Sequence, residues 1–131
     1  GGVKIGFIAA LTSGAAAYGK SQEEGIRMAV EEINQKGAIP IELFVEDSKG
    51  SPSDAMNVTK RLIQKKAAVI IGPMTSNEAK AAGPIMQNAK IPSLEISVTA
   101  EGITEIGDYI FRNSVPESMN IPRRQKRRTG F

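Results

Sequence analysis

Apolar and polar positions alternate along the chain with two different periods. Residues 3–9 form a short apolar run rich in β-branched side chains, which predicts a strand buried on both faces. In residues 19–36 the apolar positions are spaced by three and four, which predicts one face of a helix. These positions are Ile26, Ala29, Val30 and Ile33. In residues 41–46 the apolar side chains of Ile41, Leu43 and Val45 alternate with Glu42, Phe44 and Glu46, which predicts a second strand.

The same alternation of strand and helix continues through the rest of the chain. Ser51 and Pro52 resemble an N-cap followed by proline at the first helical position. The inward face of the helix that begins there is predicted at Ala55, Val58, Thr59 and Leu62. Thr75 and Glu78 have the spacing of a capping box, and the helix that follows carries Ala79, Ala82, Ile85, Met86 and Ala89 on its apolar face. Further strands are predicted at residues 68–71, 91–96 and 108–111.

This order of elements predicts the fold class. Successive βαβ units with right-handed crossovers give a parallel sheet with helices on both faces. We therefore expect an α/β, doubly wound sheet of about five strands, similar to a single flavodoxin-like or Rossmann-like lobe. The lobe is predicted at residues 1–120, and residues 121–131 form a separate basic tail.

Composition removes several classes of function. The 131 residues include no Cys and no His, so thiol nucleophiles, Cys-ligated zinc and the usual general base are excluded. Five of the 17 basic residues lie at positions 123–128, and the other 12 face 14 acidic residues. The body is therefore mildly acidic. The tail has no interleaved aromatic residues, so we interpret it as a solvated or disordered end, or as a remnant of cloning or frame shift, and we expect no nucleic-acid partner.

Three predicted loops follow the carboxyl ends of strands, where ligands bind in open parallel sheets. They cover residues 10–18, 72–77 and 95–100 and are rich in small hydroxyl side chains. Thr75 and Ser76 open a helix, whose first amides and dipole favour an anion such as a carboxylate. The candidate ligand-binding residues on these loops are Tyr18, Thr75, Ser76, Ser97 and Thr99. Taken singly, Thr75 is better explained as a helix cap, and Ser97 and Thr99 as ordinary turn residues; their convergence on one edge with Tyr18 is what favours a site.

Two other motifs suggest chemistry of a different kind. Residues 14–21 satisfy the literal Walker pattern Gly-x-x-x-x-Gly-Lys-Ser, which leaves a nucleotide-handling enzyme as a weak alternative. Glu46 and Asp47 end the second strand, and we interpret them as a solvated strand end or a salt bridge rather than as a metal or acid–base pair. No catalytic residue, metal site or cofactor is predicted.

A set of motifs in a fixed order resembles one known family. The motifs are Leu11-Thr12-Ser13-Gly14, Ala17-Tyr18-Gly19, Gly72-Pro73-Met74-Thr75-Ser76, Ser97-Val98-Thr99 and Tyr109-Ile110-Phe111-Arg112. They are similar to the N-terminal lobe of the branched-chain amino-acid-binding type of periplasmic binding protein, the substrate-binding component of ABC importers. The resemblance implies that Ser76, Ser97 and Thr99 hold the ligand's carboxylate while Tyr18 lines the pocket, and it adds Val98 to the candidate set.

The resemblance also implies partners and a location. These are a small-molecule ligand, a membrane permease in the full-length protein, and a periplasmic or other extracytoplasmic site. The first seven residues have no signal-peptide pattern. A homodimer, in which the lobe is a self-associating structural unit without a tight ligand, stays open as a second hypothesis.

Two departures from the family pattern affect these expectations. Glu95 precedes the Ser97 turn, and a carboxylate there opposes anion binding unless it points away or is paired. The second lobe, which in this family grips the ligand from the other side, is not found in these residues. We therefore expect the lobe by itself to bind amino acids no better than about millimolar, roughly −4 kcal/mol.

Overall fold

The computed structural model describes residues 2–119. Strands and helices alternate along this part of the chain, and a short 3₁₀ turn at Thr104–Ile106 precedes the last strand. The elements are β1 Val3–Ala9, α1 Ala16–Lys36, β2 Ile41–Asp47, α2 Pro52–Gln64, β3 Val69–Ile71, α3 Ser76–Asn88, β4 Ser93–Glu95 and β5 Ile110–Arg112. Among these residues, no helix combines the length and the apolar character needed to cross a bilayer.

The strands form one sheet in the order β2-β1-β3-β4-β5, and every neighbouring pair is parallel. From β1 the chain winds outward to β2, whereas from β3 it winds the other way to β4. Right-handed crossovers then put α1 on one face of the sheet and α2 and α3 on the other. The predicted fold class is confirmed, and the direction of winding changes between β1 and β3.

The main core lies between the sheet and the pair α2 and α3. Ile8 of β1 and Ile70 of β3 point into it and are fully buried. The four inward positions predicted for α2 are all buried, which confirms the helical spacing. On α3, Ala79, Ala82 and Met86 are buried, while Ala89 is exposed at the end of the helix.

The other face of the sheet is covered less completely. Ile26 and Val30 of α1 are half-buried, but Ala29 and Ile33 of the predicted inward face are exposed. The prediction for these two positions is wrong because α1 packs mainly on β1 and β2, at one side of the sheet. Across the remaining strands a row of apolar side chains continues to Phe111, which is 53% exposed.

The local signals at the helix starts are confirmed. The Ser51 hydroxyl caps α2 by accepting from the Asp54 N–H at 3.4 Å, and Pro52 occupies the first helical position. Thr75 and Glu78 form the predicted capping box of α3. The predicted basic tail at residues 121–131 lies outside the described residues, so the proposed division of the chain stays a prediction.

Candidate functional site

Three loops meet at the carboxyl edge of the sheet, on both sides of the point where the winding changes. The loop after β3 begins at Gly72, whose φ is +101°. A Cβ atom at this position would lie 2.3 Å from the backbone oxygen of Ile8 in β1. Only glycine fits such a close approach in the left-handed region. The next two residues, Pro73 and Met74, are buried and lead from this close approach to the start of α3.

Thr75 is occupied as a helix cap. Its hydroxyl accepts from the Glu78 N–H at 3.4 Å, and the Glu78 carboxylate accepts from the Thr75 N–H at 3.2 Å. The Thr75 hydroxyl also donates to the same carboxylate oxygen. The first amides of an α-helix have no partner within the helix, so the N–H groups of Ser76 and Asn77 are the donors that the start of α3 offers an anion.

Ser76 and Ser97 connect the loops to one another. The Ser97 hydroxyl donates to the carbonyl of Met74 at 2.7 Å, and the Ala100 N–H donates to the Ser76 hydroxyl at 3.3 Å. The Gln22 side chain of α1 donates to the Ser97 hydroxyl at 3.1 Å. These bonds link α1, the loop after β3 and the loop after β4, so two predicted site residues lie together at the edge.

The other predicted site residues have different surroundings. The Thr99 hydroxyl is 3.5 Å from the Glu117 carboxylate, and the Thr99 carbonyl accepts from the Glu117 N–H at 2.8 Å. The Val98 side chain is fully buried in the core, which leaves only its backbone at the edge. Tyr18 lies in the first turn of α1 with 76% of its surface exposed.

Asp47 anchors the loop after β1, a role that the sequence patterns did not indicate. Its carboxylate accepts from the Leu11 N–H at 2.8 Å, the Thr12 hydroxyl at 2.6 Å and the Lys49 N–H at 2.8 Å. Desolvation acts to raise the pKa of Asp47, but the bonds from Thr12, Leu11 and Lys49 together hold it below its usual value. The ionised carboxylate of Asp47 therefore holds the loop after β1 in place.

The structure decides between the alternative interpretations of Glu46 and of the Walker-like residues. Glu46 makes salt bridges to Arg61 at 2.9 Å and to Lys65 at 3.7 Å, as the salt-bridge interpretation predicted. Gly19, Lys20 and Ser21 lie inside α1 rather than at its start, so the Walker-like residues do not form a phosphate-binding loop. Within residues 2–119, no group of three acidic side chains is placed to hold a metal ion.

Glu95 points into the protein and not toward the edge. It is fully buried, and one of its oxygens is 3.0 Å from the Ser93 hydroxyl. The pKa of Glu95 is raised to about 8, and burial is the largest cause. The hydrogen bond with Ser93 and the charge of Arg112 lower this pKa, whereas the charge of Glu78 raises it. The carboxyl group is therefore largely protonated at pH 7, which weakens the repulsion expected from the sequence.

A surface pocket of about 440 Å³ lies away from these loops. Its walls are the second half of α1 and the middle of β2, and they include Arg27, Glu31 and Leu43. The hydroxyl groups and helix amides described above do not contribute to it. We therefore regard the carboxyl edge, where the polar donors converge, as the candidate site.

Comparisons with known proteins relate this geometry to one family. The profile of the family described as periplasmic binding protein matches residues 2–123. The Leu/Ile/Val-binding protein BraC3 of Rhizobium johnstonii is 30% identical over 108 residues, which cover 80% of this chain and 29% of that protein.

Two solved structures share the fold. The branched-chain amino acid transporter substrate-binding protein LivJ of Streptococcus pneumoniae, in complex with isoleucine, has a TM-score of 0.87 and 34% identity, covering 90% of this chain and 35% of that one. A solute-binding protein of an ABC transporter from Rhodopseudomonas palustris, in complex with 3,4-dihydroxybenzoic acid, has a TM-score of 0.81 and 29% identity, covering 87% and 32%. The chain spans about a third of the length of the proteins it matches.

Proposed function

Because the chain belongs to the periplasmic binding protein family, as its motifs predicted, we propose that it forms one ligand-binding lobe of the solute-binding component of an ABC importer. The relatives named above are binding proteins, which confirms the prediction of a chain that is not an enzyme. Its ligand is a small molecule with a carboxylate, such as a branched-chain amino acid. The permease of the importer is the partner, and the site of action is outside the cytoplasm.

The observation that carries the proposal is the meeting of the α3 start with the loop after β4. The first amides of α3 and the hydroxyls of Ser76, Ser97 and Thr99 lie on one edge. Hydrogen bonds to a charged group are worth more than bonds between neutral groups. An ionised carboxylate is therefore the ligand group that suits the amides of Ser76 and Asn77 and the Ser76 hydroxyl best. The Ser97 and Thr99 hydroxyls donate to Met74 and Glu117 and hold the loop after β4 in place. Tyr18 offers an exposed ring in the first turn of α1.

The ligands of the two solved relatives support the same chemical class. Isoleucine and 3,4-dihydroxybenzoic acid differ in everything except a carboxylate on a small, partly apolar body. What they share is the group that the edge loops are suited to hold. An amino acid and an aromatic acid differ in the apolar part that the carboxylate is attached to. We favour a branched-chain amino acid because BraC3 is named for leucine, isoleucine and valine.

Calorimetric titration with L-leucine and with 4-hydroxybenzoate tests the proposal. We expect a dissociation constant of about 1 mM for the 131 residues, close to −4 kcal/mol, because one lobe leaves much of a ligand in water. Ser76→Ala should weaken binding about fivefold, the value of one hydrogen bond of about 1 kcal/mol. Ser97→Ala should weaken it by a similar factor, because the Ser97 bond to Met74 holds the loop after β4 against the start of α3.

Ser53→Ala is the matched control. Ser53 is an exposed hydroxyl residue near the start of α2, a helix that begins at the same edge without the hydroxyls of the loop after β4. Its replacement should leave the affinity unchanged. Equal effects of Ser76→Ala and Ser53→Ala, or no binding of either carboxylate, would contradict the proposal, and low-micromolar affinity would contradict the one-lobe argument.

A further inference from the structure

Two carboxyl groups are fully buried directly behind the edge loops. Glu78 lies in the first turn of α3, and Glu95 is the last residue of β4. One oxygen of each group, Oε1 of Glu78 and Oε2 of Glu95, has no hydrogen-bond partner among the described residues. Burying two ionised carboxylates without a partner for every oxygen is costly. At Glu95, protonation removes this cost.

The contacts of the Ser93 hydroxyl favour the protonated form of Glu95. Its oxygen is 3.0 Å from Oε1 of Glu95 and 3.1 Å from the backbone oxygen of Gly72. A serine hydroxyl has one hydrogen and can donate it to one acceptor at a time. If Glu95 were ionised, both neighbours would compete for that hydrogen. If Glu95 carries a proton on Oε1, it donates to Ser93, and Ser93 donates to Gly72.

We propose that protonated Glu95 is a positioning residue of the anion site, which acts through Ser93 to hold the Gly72 carbonyl and the loop that leads into α3. This inference rests on the proposed function for its effect on ligand binding, but its effect on the loop does not. Gly72 is the residue that approaches β1 closely, so the relay Glu95–Ser93–Gly72 fixes the path of the chain toward Thr75 and Ser76.

Burial and the charged groups around Glu95 set the pH at which its proton is lost. Glu78 on α3 favours the protonated form and Arg112 on β5 favours the ionised form, while burial is the largest influence and raises the pKa to about 8. The described strands β3 and β4 contribute no other titratable side chain. The folded chain thus binds this proton more tightly than the unfolded chain, whose Glu has its ordinary value of 4.5.

Ionisation of Glu95 has three consequences. Ser93 turns its hydrogen to the carboxylate, the Gly72 carbonyl loses its donor, and a new negative charge appears behind the anion site. The stability that the proton provides is fully present below pH 4.5 and is lost as the pH rises to about 8. Affinity for a carboxylate should fall as Glu95 ionises in the folded chain, between about pH 7 and pH 9.

The experiment follows the pH dependence of the 131-residue chain by NMR without ligand. Carbon-13 labelling of glutamate reads the protonation of Glu95 directly, and the amides of Gly72, Met74 and Ser76 report on the loop. We expect one shared midpoint near pH 8. Glu95→Gln supplies an N–H in place of the acid's O–H and cannot ionise, so its loop amides should show no such transition. Glu24→Gln, at an exposed position of α1, should keep the wild-type transition.

The ligand arm uses 4-methylpentanoate, a carboxylate with no other titrating group. Its dissociation constant should rise roughly threefold to tenfold from pH 7 to pH 9 in the wild type, because a new negative charge behind the site repels the anion. In Glu95→Gln it should stay constant. A Glu95 midpoint below pH 6 overturns the inference even if the variant does not fold, as does a loop transition that persists in Glu95→Gln. A lobe that binds no carboxylate at any pH contradicts the proposed function instead, and the ligand-free titration still decides the role of Glu95.

Discussion

Two glycines of α1 should respond in opposite directions to the same substitution. Gly19 is buried, and a Cβ atom there would lie 1.8 Å from the Ala10 oxygen and 2.6 Å from its carbonyl carbon. Gly25 is exposed and has nothing within 4 Å of the same atom. Both residues lie inside a regular helix. Only the space available to a methyl group differs between them.

The expected magnitudes follow from that difference. Alanine is favoured over glycine inside a helix by about 1 kcal/mol, so Gly25→Ala should raise the melting temperature by about 2–5 °C. Gly19→Ala gains the same preference but forces α1 away from the end of β1. Overpacking of this kind costs about 1–3 kcal/mol or more, and the contact here is with backbone, which cannot rotate away. We expect a net loss of at least about 1 kcal/mol.

Thermal and urea unfolding followed by circular dichroism measure both effects. Gly19→Ala should also reduce ligand affinity, because Tyr18 and Gln22 move with this part of the helix and Gln22 contacts Ser97. A Gly19→Ala variant as stable as Gly25→Ala would refute the close approach of α1 to β1. A loss of stability in Gly25→Ala would refute the regular, solvent-exposed helix at that point.

Two further substitutions test the site anchor and the core. Asp47→Asn should lower the melting temperature at pH 7 by a few degrees, since a bond to a charged acceptor is worth about 1.5–3 kcal/mol. Because the pKa of Asp47 is lowered in the folded chain, the difference between wild type and variant should shrink as the pH falls below 3.8. A constant difference down to pH 2 would contradict the role of Asp47 as the anchor of the loop after β1. Leu62→Ala, at a fully buried position, should cost about 2–5 kcal/mol in urea unfolding, whereas Ile39→Ala, at a position 56% exposed, should change stability by less than about 0.5 kcal/mol; similar losses for the two would contradict the assigned core.

Much of the fold could be predicted because its signals are local. The bounds of β1 agree with the apolar run, and the caps at Ser51 and Thr75 depend on residues only three positions away. The exposure of Ile33 could not be predicted, since helical spacing identifies an apolar face but not whether another element covers it. The parallel sheet with helices on both faces followed from crossover handedness, which needs no knowledge of side-chain contacts, whereas the strand order β2-β1-β3-β4-β5 was not predicted.

The site was harder to predict because its contacts are distant in sequence. Ser97 bonds to Met74, and Glu95 is influenced by Glu78, partners that lie 23 and 17 positions earlier. In β4, Ser93 and Glu95 occupy alternate positions that a polar pattern places outside, yet both side chains are fully buried. The topology predicts that these hydroxyl groups meet at the edge. Only the structure shows which of them already serve as helix caps or as links between loops.

The central claim is that the start of α3 and the loop after β4 hold a carboxylate. An NMR titration of the nitrogen-15-labelled chain with L-leucine and with L-leucinamide, which lacks the carboxylate, tests it most directly. We predict that leucine shifts the amides of Ser76, Asn77 and Ser97 to Thr99 at millimolar concentration and that leucinamide leaves them unchanged. Equal shifts with both compounds, or shifts confined to the pocket beside Arg27 and Leu43, would contradict the claim.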